Sequence, residues 1–202
     1  TNSTNVNLQR AATGNVEAAF WQVVQLPTAI YPTITIISPL NQTYTTTTID
    51  FNVSLSESGS WCGFSLDGAA NVTMTKFNDT YFNYTNSTMS QGGHNIVFSC
   101  NTSLGVENST QESFSVDSFS PLVIIISPEN KTYTTSSIEF DFSLNEAGYC
   151  EYSLNNGVTN YTMTSNSSLT GFNATNSSIA DGSYNVRAYC NDSVGNKNYT
   201  TN

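Results

Sequence analysis

The chain has 202 residues, 38% hydrophobic and only 10% charged, with a formal net charge of −10 and five Lys and Arg in all. That length accommodates one large or two small domains, and 11 Tyr with 11 Phe supply cores that a disordered chain lacks. So few cations exclude a basic patch for nucleic acid and equally exclude binding to an anionic membrane surface.

Taken in chain order, the first element is a candidate strand within "NVEAAFWQVVQLPTAIYP", residues 15–32. Residues 1–31 form an extended N-terminal arm ahead of the first repeat. The repeat itself is plain. "IISPLNQTYTTTTIDFNVSLSESGSWCGFSLDG" matches "IISPENKTYTTSSIEFDFSLNEAGYCEYSLNNG", with Pro39 and Pro128 89 residues apart, as are Phe51 and Phe140. Later "GGHNIVFSCNTSLG" matches "GSYNVRAYCNDSVG". Small slips in spacing between these blocks are what loop insertions produce. Two units follow, 32–118 and 119–202.

Both units read as all-β. In the first, β-branched and aromatic runs predict strands near 33–38, 46–55, 60–66, 71–77, 81–88, 94–101 and 107–116. The second repeats them near 122–127, 135–144, 148–154, 158–164, 169–175, 184–191 and 196–201. Ile49, Phe51, Val53 and Leu55 alternate with polar residues, so one face is buried. "LDG" at 66–68 and "NNG" at 155–157 supply the positive φ of tight hairpins. Seven short strands per unit predict two tandem Ig-like, fibronectin-like β-sandwiches.

Four cysteines, two per unit at equivalent places, are expected to pair in a secreted chain. Of three possible connectivities, the repeat selects Cys62–Cys100 and Cys150–Cys190. These bonds would join the third and sixth strands, neighbours in one sheet. A zinc site lacks supporting His and CxxC spacing.

Ser and Thr supply 56 residues and Asn another 26. Sixteen Asn-X-Ser/Thr sequons occur, roughly twice what chance pairing gives, which points to N-glycosylation of a secreted surface. Candidate acceptors are Asn41, Asn52, Asn71, Asn78, Asn83, Asn86, Asn101, Asn108, Asn130, Asn160, Asn166, Asn173, Asn176, Asn191 and Asn198. Glycans would provide the hydration that charge does not. There is no initiator Met, signal peptide or run of 18 apolar residues, so the chain is expected to be a mature or trimmed product, with any membrane anchor outside it. The absence of a long apolar first helix argues against a type IV pilin.

"ISPENKTY" at 126–133 and "GSYNVRAYCNDSVGN" at 182–196 resemble the Ig-like repeats of archaeal cell-surface proteins. The first copy departs from that pattern, with His94 for the Tyr and "CNTSLG" for "CNDSVG". The resemblance covers the chain after the arm. It implies a secreted, glycosylated, structural or adhesive role; that the chain is no enzyme is expected instead from its residues.

Catalytic motifs are absent. His94 is the single histidine, and its repeat mate Tyr184 suggests a semi-buried structural position. No nucleophile elbow, paired carboxylates of glycosidase type or phosphate loop appears. Asp117, Asp50 or Asp141 could hold calcium between units, without an EF-hand to support it; no cofactor is expected. Trp21 and Trp61 read either as a sugar-stacking platform or as cross-strand packing.

The arm and the end of the second unit look complementary. "EAAFWQVVQ" lies where the last strand of a preceding unit would lie, while the second unit stops where "ESFSV" of the first begins. Donation of the arm to the second unit of a neighbouring copy would fill both places, with Ala18, Phe20, Trp21, Val23 and Val24 at the joint. That predicts a head-to-tail extracellular filament of this chain. The alternatives are a spacer or adhesin piece of a larger cell-surface or S-layer protein, with glycans or other cell surfaces as partners, and an arm folded back on its own unit.

Overall fold

The computed structural model describes residues 31–202. The first repeat contains β1 (Ile34–Ser38), β2 (Thr43–Tyr44), β3 (Ile49–Leu55), β4 (Gly59–Leu66), β5 (Val72–Thr73), β6 (Thr75–Lys76), β7 (Tyr81–Asn86), β8 (Gly92–Thr102) and β9 (Glu107–Val116). The second contains β10 (Val123–Ser127), β11 (Ile138–Leu144), β12 (Gly148–Ser153), β13 (Tyr161–Thr162), β14 (Thr164–Ser165), β15 (Gly171–Asn176), β16 (Arg187–Asp192) and β17 (Lys197–Thr201). No helix occurs among the described residues.

These strands build four sheets: β1-β3-β7-β6 with β2-β9-β8-β4-β5, and β10-β11-β15-β14 with β13-β12-β16-β17. The alternation of β3 sets the first core. Ile49, Phe51, Val53 and Leu55 are buried while Asp50 is exposed, because successive side chains on a strand point to opposite faces. They meet Cys62 and Phe64 of β4 and Ile96, Phe98 and Cys100 of β8 from the facing sheet. Phe51 packs edge-to-face on Phe64, 4.8 Å between centroids, the geometry ring quadrupoles favour. The second core repeats this with Ile138, Phe140, Phe142 and Leu144, and Phe140 stacks on Tyr152 at 3.9 Å. Each fully buried aromatic contributes about 1.5–3 kcal/mol of transfer free energy.

The strand expected over 71–77 is in fact two. β5 pairs with β4 in one sheet and β6 with β7 in the other. Met74 lies at the crossing, buried, with its N–H donated to Cys62 O at 2.9 Å. An apolar side chain turned into the core carries the backbone from one layer to the other. Met163 does the same between β13 and β14. The β4–β5 hairpin turns at Asp67 and Gly68 (φ 52° and 76°), and its counterpart at Asn156 and Gly157 (58° and 87°), the paired positive φ of a type I′ turn.

The repeats differ along the last strand. β9 is ten residues long and pairs with β8 along its whole length. Its end also takes β2 as a parallel neighbour, Tyr44 opposite Val116. β17 is five residues long, closed by reciprocal bonds between Val186 and Asn202. The strand expected from 184 therefore begins only at Arg187, since nothing among the described residues pairs with Tyr184 as Phe114 pairs with His94.

Candidate functional site

The cysteines lie directly opposite one another on neighbouring strands. Cys62 faces Cys100 across β4 and β8, and Cys150 faces Cys190 across β12 and β16. Both pairs are disulfide-bonded, at S–S 2.06 and 2.07 Å. Each bond lies within one sheet, so it fastens the middle of a sheet rather than joining the two layers.

His94 is a buried polar side chain of the first repeat. It projects from β8 into the end of the core, against the ring of Phe114. Nδ1 lies 2.7 Å from Asp67 Oδ2 and Nε2 lies 2.9 Å from Ser90 O. Both partners accept hydrogen bonds, so the ring satisfies both only when it carries two protons. Burial lowers its pKa, but the Asp67 bond, the Ser90 carbonyl and the Asp67 charge raise it above the ordinary value. Burial likewise raises Asp67, and the His94 bond, the Asn95 N–H and the His94 charge bring it below its ordinary value. With both nitrogens engaged, His94 has no free base to offer a nucleophile. A shallow groove beside it is lined by Asn41, Gln42, Asp67, Phe114 and Ser115.

The junction between repeats is gripped from both sides. Gln91, ahead of β8, donates to Ser118 Oγ at 2.9 Å and accepts from Ser118 N at 2.8 Å. Asn196, after β16, donates to Asp117 O at 2.8 Å. Asp192 organises the loop that carries Asn196, its Oδ1 accepting from the N–H groups of Val194, Gly195 and Asn196. In the first repeat Thr102 takes that place, accepting from Leu104 and Val106. The "CNDSVGN" version thus grips the preceding linker, whereas "CNTSLGV" has Val106 where Asn196 would reach.

Asp117 does not meet Asp50 or Asp141. Its carboxylate instead lies within 4.8 Å of those of Glu146 and Asp192. Burial, then Asp117 and Asp192, push Glu146 up. Burial raises Asp192 too, but the Asn196 side chain and three backbone N–H groups hold it below its ordinary value. Asp50 accepts from Thr85 at 2.6 Å, and Asp141 stands opposite Asn173.

Trp61 is half-buried on β4 and packs across strands. Its indole N–H donates to Thr73 Oγ1 at 3.2 Å, and its ring covers Gly63, where a Cβ would lie 2.4 Å from the indole. In the second repeat the outer face of the same sheet carries Arg187 over the ring of Tyr199, 4.5 Å from the centroid. Tyr189 flanks this pair, and Arg187 Nε is buried without a hydrogen-bond partner.

Among the sequon asparagines, Asn41, Asn71, Asn78, Asn108, Asn130, Asn160, Asn166 and Asn173 are exposed, and the other seven of the expected acceptors are half-buried. Ala18, Phe20, Trp21, Val23 and Val24 lie outside the described residues. Sequence reasoning missed the Asp67–His94 pair, the Gln91 and Asn196 grips and the Arg187 stack. The Asp67 turn was visible, and the Asp192/Thr102 difference between repeats was the available signal for the grip.

Two-layer sandwiches of mainly antiparallel strands, with these sheets, define a protein of the immunoglobulin-like, fibronectin III-like class. No family model matches the chain. Halomucin of Haloquadratum walsbyi is 39% identical over 83 residues, covering 41% of this chain, which spans about 1% of that relative's length. Among solved structures, the N-terminal eight Ig domains of the Down Syndrome Cell Adhesion Molecule align over 85% of this chain and 27% of that one, with TM-score 0.55 and 12% identity. The fibronectin(III)-like modules of Clostridium thermocellum CbhA align over 84% and 91%, with TM-score 0.44 and 11% identity. The first of these structures shares the fold. No helix among the described residues is long and apolar enough to cross a membrane.

Proposed function

We propose that this chain is a pair of stiffly joined Ig-like spacers belonging to an extracellular, N-glycosylated surface protein. The observation that carries this reading is the two-sided grip on the linker at Asp117 and Ser118, which suits a repeat that sets distance rather than one that binds a substrate. The two disulfides fit an oxidising compartment. Sequons and a charge content of 10% fit a sugar-hydrated surface, and the partial similarity to halomucin supports a place at the cell surface. Surface labelling of intact cells with a membrane-impermeant reagent, followed by intact mass, tests it. Modification from outside and a mass well above the bare 21.9 kDa are expected; an unlabelled chain of bare mass overturns it.

A second reading concerns assembly. Phe114 and Val116 fill the end of the first core, and the second core has no counterpart of either among the described residues. A strand from a neighbouring copy, residues 16–25, would suit that place by β-addition and would give a filament. The continuation of the same protein chain would fill it equally well. Electron microscopy of the purified chain with and without residues 1–25 separates the two: filaments that depend on the arm favour donation, and monomers in both cases favour the spacer.

A further inference from the structure

Two matched pairs of sequon asparagines are distinguished by what their side chains are doing. Asn78 and Asn166 occupy the turns that lead into β7 and β15. Asn78 Oδ1 accepts from Thr80 N at 2.9 Å and Thr80 Oγ1 at 3.3 Å. Asn166 Oδ1 accepts from Ser168 Oγ and Thr170 N, both at 3.1 Å. In each case the hydroxyl residue of the sequon itself ties down the carbonyl end. Such an Asx turn fixes the plane of the amide, and since Oδ1 receives the N–H, Nδ2 must be the other end. Both residues are exposed, and neither Nδ2 has a hydrogen-bond acceptor among the described residues. At Asn166 the space over Nδ2 is kept open by Gly171, where a Cβ would come within 2.8 Å. The related turns at Asn86 and Asn176 are half-buried.

Asn108 and Asn198 stand on β9 and β17, 90 residues apart. Their Nδ2 groups donate to Pro32 O and Pro121 O, each at 2.8 Å. Their Oδ1 atoms accept from Ser109 N at 2.9 Å and Tyr199 N at 2.8 Å. A proline carbonyl can only accept and a backbone N–H can only donate, so neither amide can be flipped. Each asparagine fastens the last strand of its repeat to the residue that opens it, at a part-buried seam. Asn-X-Ser/Thr is present at all four places, but only two leave the nitrogen available.

We infer that Asn78 and Asn166 are built as acceptors of N-linked sugar, and that Asn108 and Asn198 are structural staples that stay bare. The inference rests on the glycoprotein reading above. The transfer itself is a substitution at carbon. Nδ2 bonds to the anomeric carbon of a sugar whose leaving group is a phosphate ester. The carbon–oxygen bond to phosphate breaks with its electron pair going to the phosphate oxygen, and one Nδ2 proton passes to a base of the transferring enzyme. At Asn78 and Asn166 the donor meets a nitrogen held in the open. At Asn108 and Asn198 the side chain would have to leave both its bonds, and the strand seam, before the donor reached it. The acceptors precede the same strand in each repeat, so the sugars recur once per repeat at one place on the fold.

Site-resolved glycopeptide mass spectrometry of the full chain from the cells that secrete it tests this. Sugar mass at Asn78 and Asn166 with unmodified Asn108 and Asn198 is expected. Sugar at Asn108 or Asn198 overturns the division, as does a bare Asn78 or Asn166 on a chain glycosylated elsewhere. A chain bare at every sequon overturns the glycoprotein reading together with this one. Two variants check the staple independently. Thr110→Ala removes the sequon but leaves Asn108, so mass loss is limited to the hydroxyl side-chain difference and the unfolding midpoint is unchanged. Asn108→Asp keeps the acceptor but loses the donor to Pro32, and lowers the midpoint of the first sandwich. An unchanged midpoint in Asn108→Asp, or loss of sugar in Thr110→Ala, contradicts the assignment.

Discussion

His94 and Tyr184 occupy equivalent positions 90 residues apart, and each reaches the backbone carbonyl four residues before it. His94 Nε2 lies 2.9 Å from Ser90 O, and Tyr184 OH donates to Ala180 O at 3.1 Å. The substitution conserves a donor but changes its charge. Imidazole can bind a second acceptor, and the first repeat supplies one in Asp67; the phenol makes its bond from an exposed position.

The pair makes the first sandwich sensitive to pH. His94 is held above its ordinary 6.5 in the folded state, so its contribution is complete below about pH 6.5 and is lost as pH rises through the raised value. Asp67 is held below its ordinary 3.8, so its contribution is present above that pH and is lost as pH falls through the lowered value. Thermal unfolding followed from about pH 6 to about pH 9 should show the first sandwich losing stability. His94→Gln should flatten that slope, and a slope that survives the substitution would assign it to other groups.

Removing a disulfide should affect its own repeat. The bond at Cys62–Cys100 spans 38 residues and that at Cys150–Cys190 spans 40, for which chain entropy gives about 4 kcal/mol each. Cys62→Ala with Cys100→Ala should therefore lower the denaturant midpoint of the first sandwich and leave the second transition in place. Near-UV circular dichroism and urea titration would read both.

Phe51 is fully buried and in ring contact with Phe64, Phe98 and Phe114. Phe51→Ala should cost about 3–5 kcal/mol, the range for aromatic truncation in a packed core. Phe140→Ala should cost a similar amount in the second repeat, where the ring lies against Tyr152. A loss below about 1 kcal/mol in calorimetry would mean that the core collapses to fill the space.

Stiffness at the junction should depend on two side chains. Gln91→Ala and Asn196→Ala each release one hold on the linker, and together they should broaden the distance distribution from small-angle X-ray scattering without unfolding either sandwich. An unchanged distribution would leave the linker backbone itself as the source of order.

Local chemistry explains which features could be read from the chain. The alternation of Ile49, Phe51, Val53 and Leu55 is a property of one strand, and the positive φ at Gly68 and Gly157 belongs to one turn. Both are therefore visible without a partner. The split of the strand at Met74 was not visible, because Val72, Thr73 and Thr75 favour a strand whichever sheet they join. Asp67 and His94 are 27 residues apart and meet only through pairing of β4 with β8. The grip of Asn196 on Asp117 crosses 79 residues. Asn108 carries the same Asn-X-Thr pattern as Asn78, yet its Nδ2 is held by the carbonyl of a proline 76 residues away, a contact that no short motif displays.

Each disulfide also divides its repeat into a part that can be drawn out and a part that cannot. Tension applied through the chain passes from Cys62 to Cys100, and from Cys150 to Cys190, across sulfur rather than along the backbone between them. About 38 residues per repeat, on the order of 130 Å of contour, are thereby withheld from extension. Under load, even a repeat whose layers have come apart would lengthen by little more than half of what an unbridged sandwich would yield, and would keep β4 and β8 in register for refolding once the load is removed.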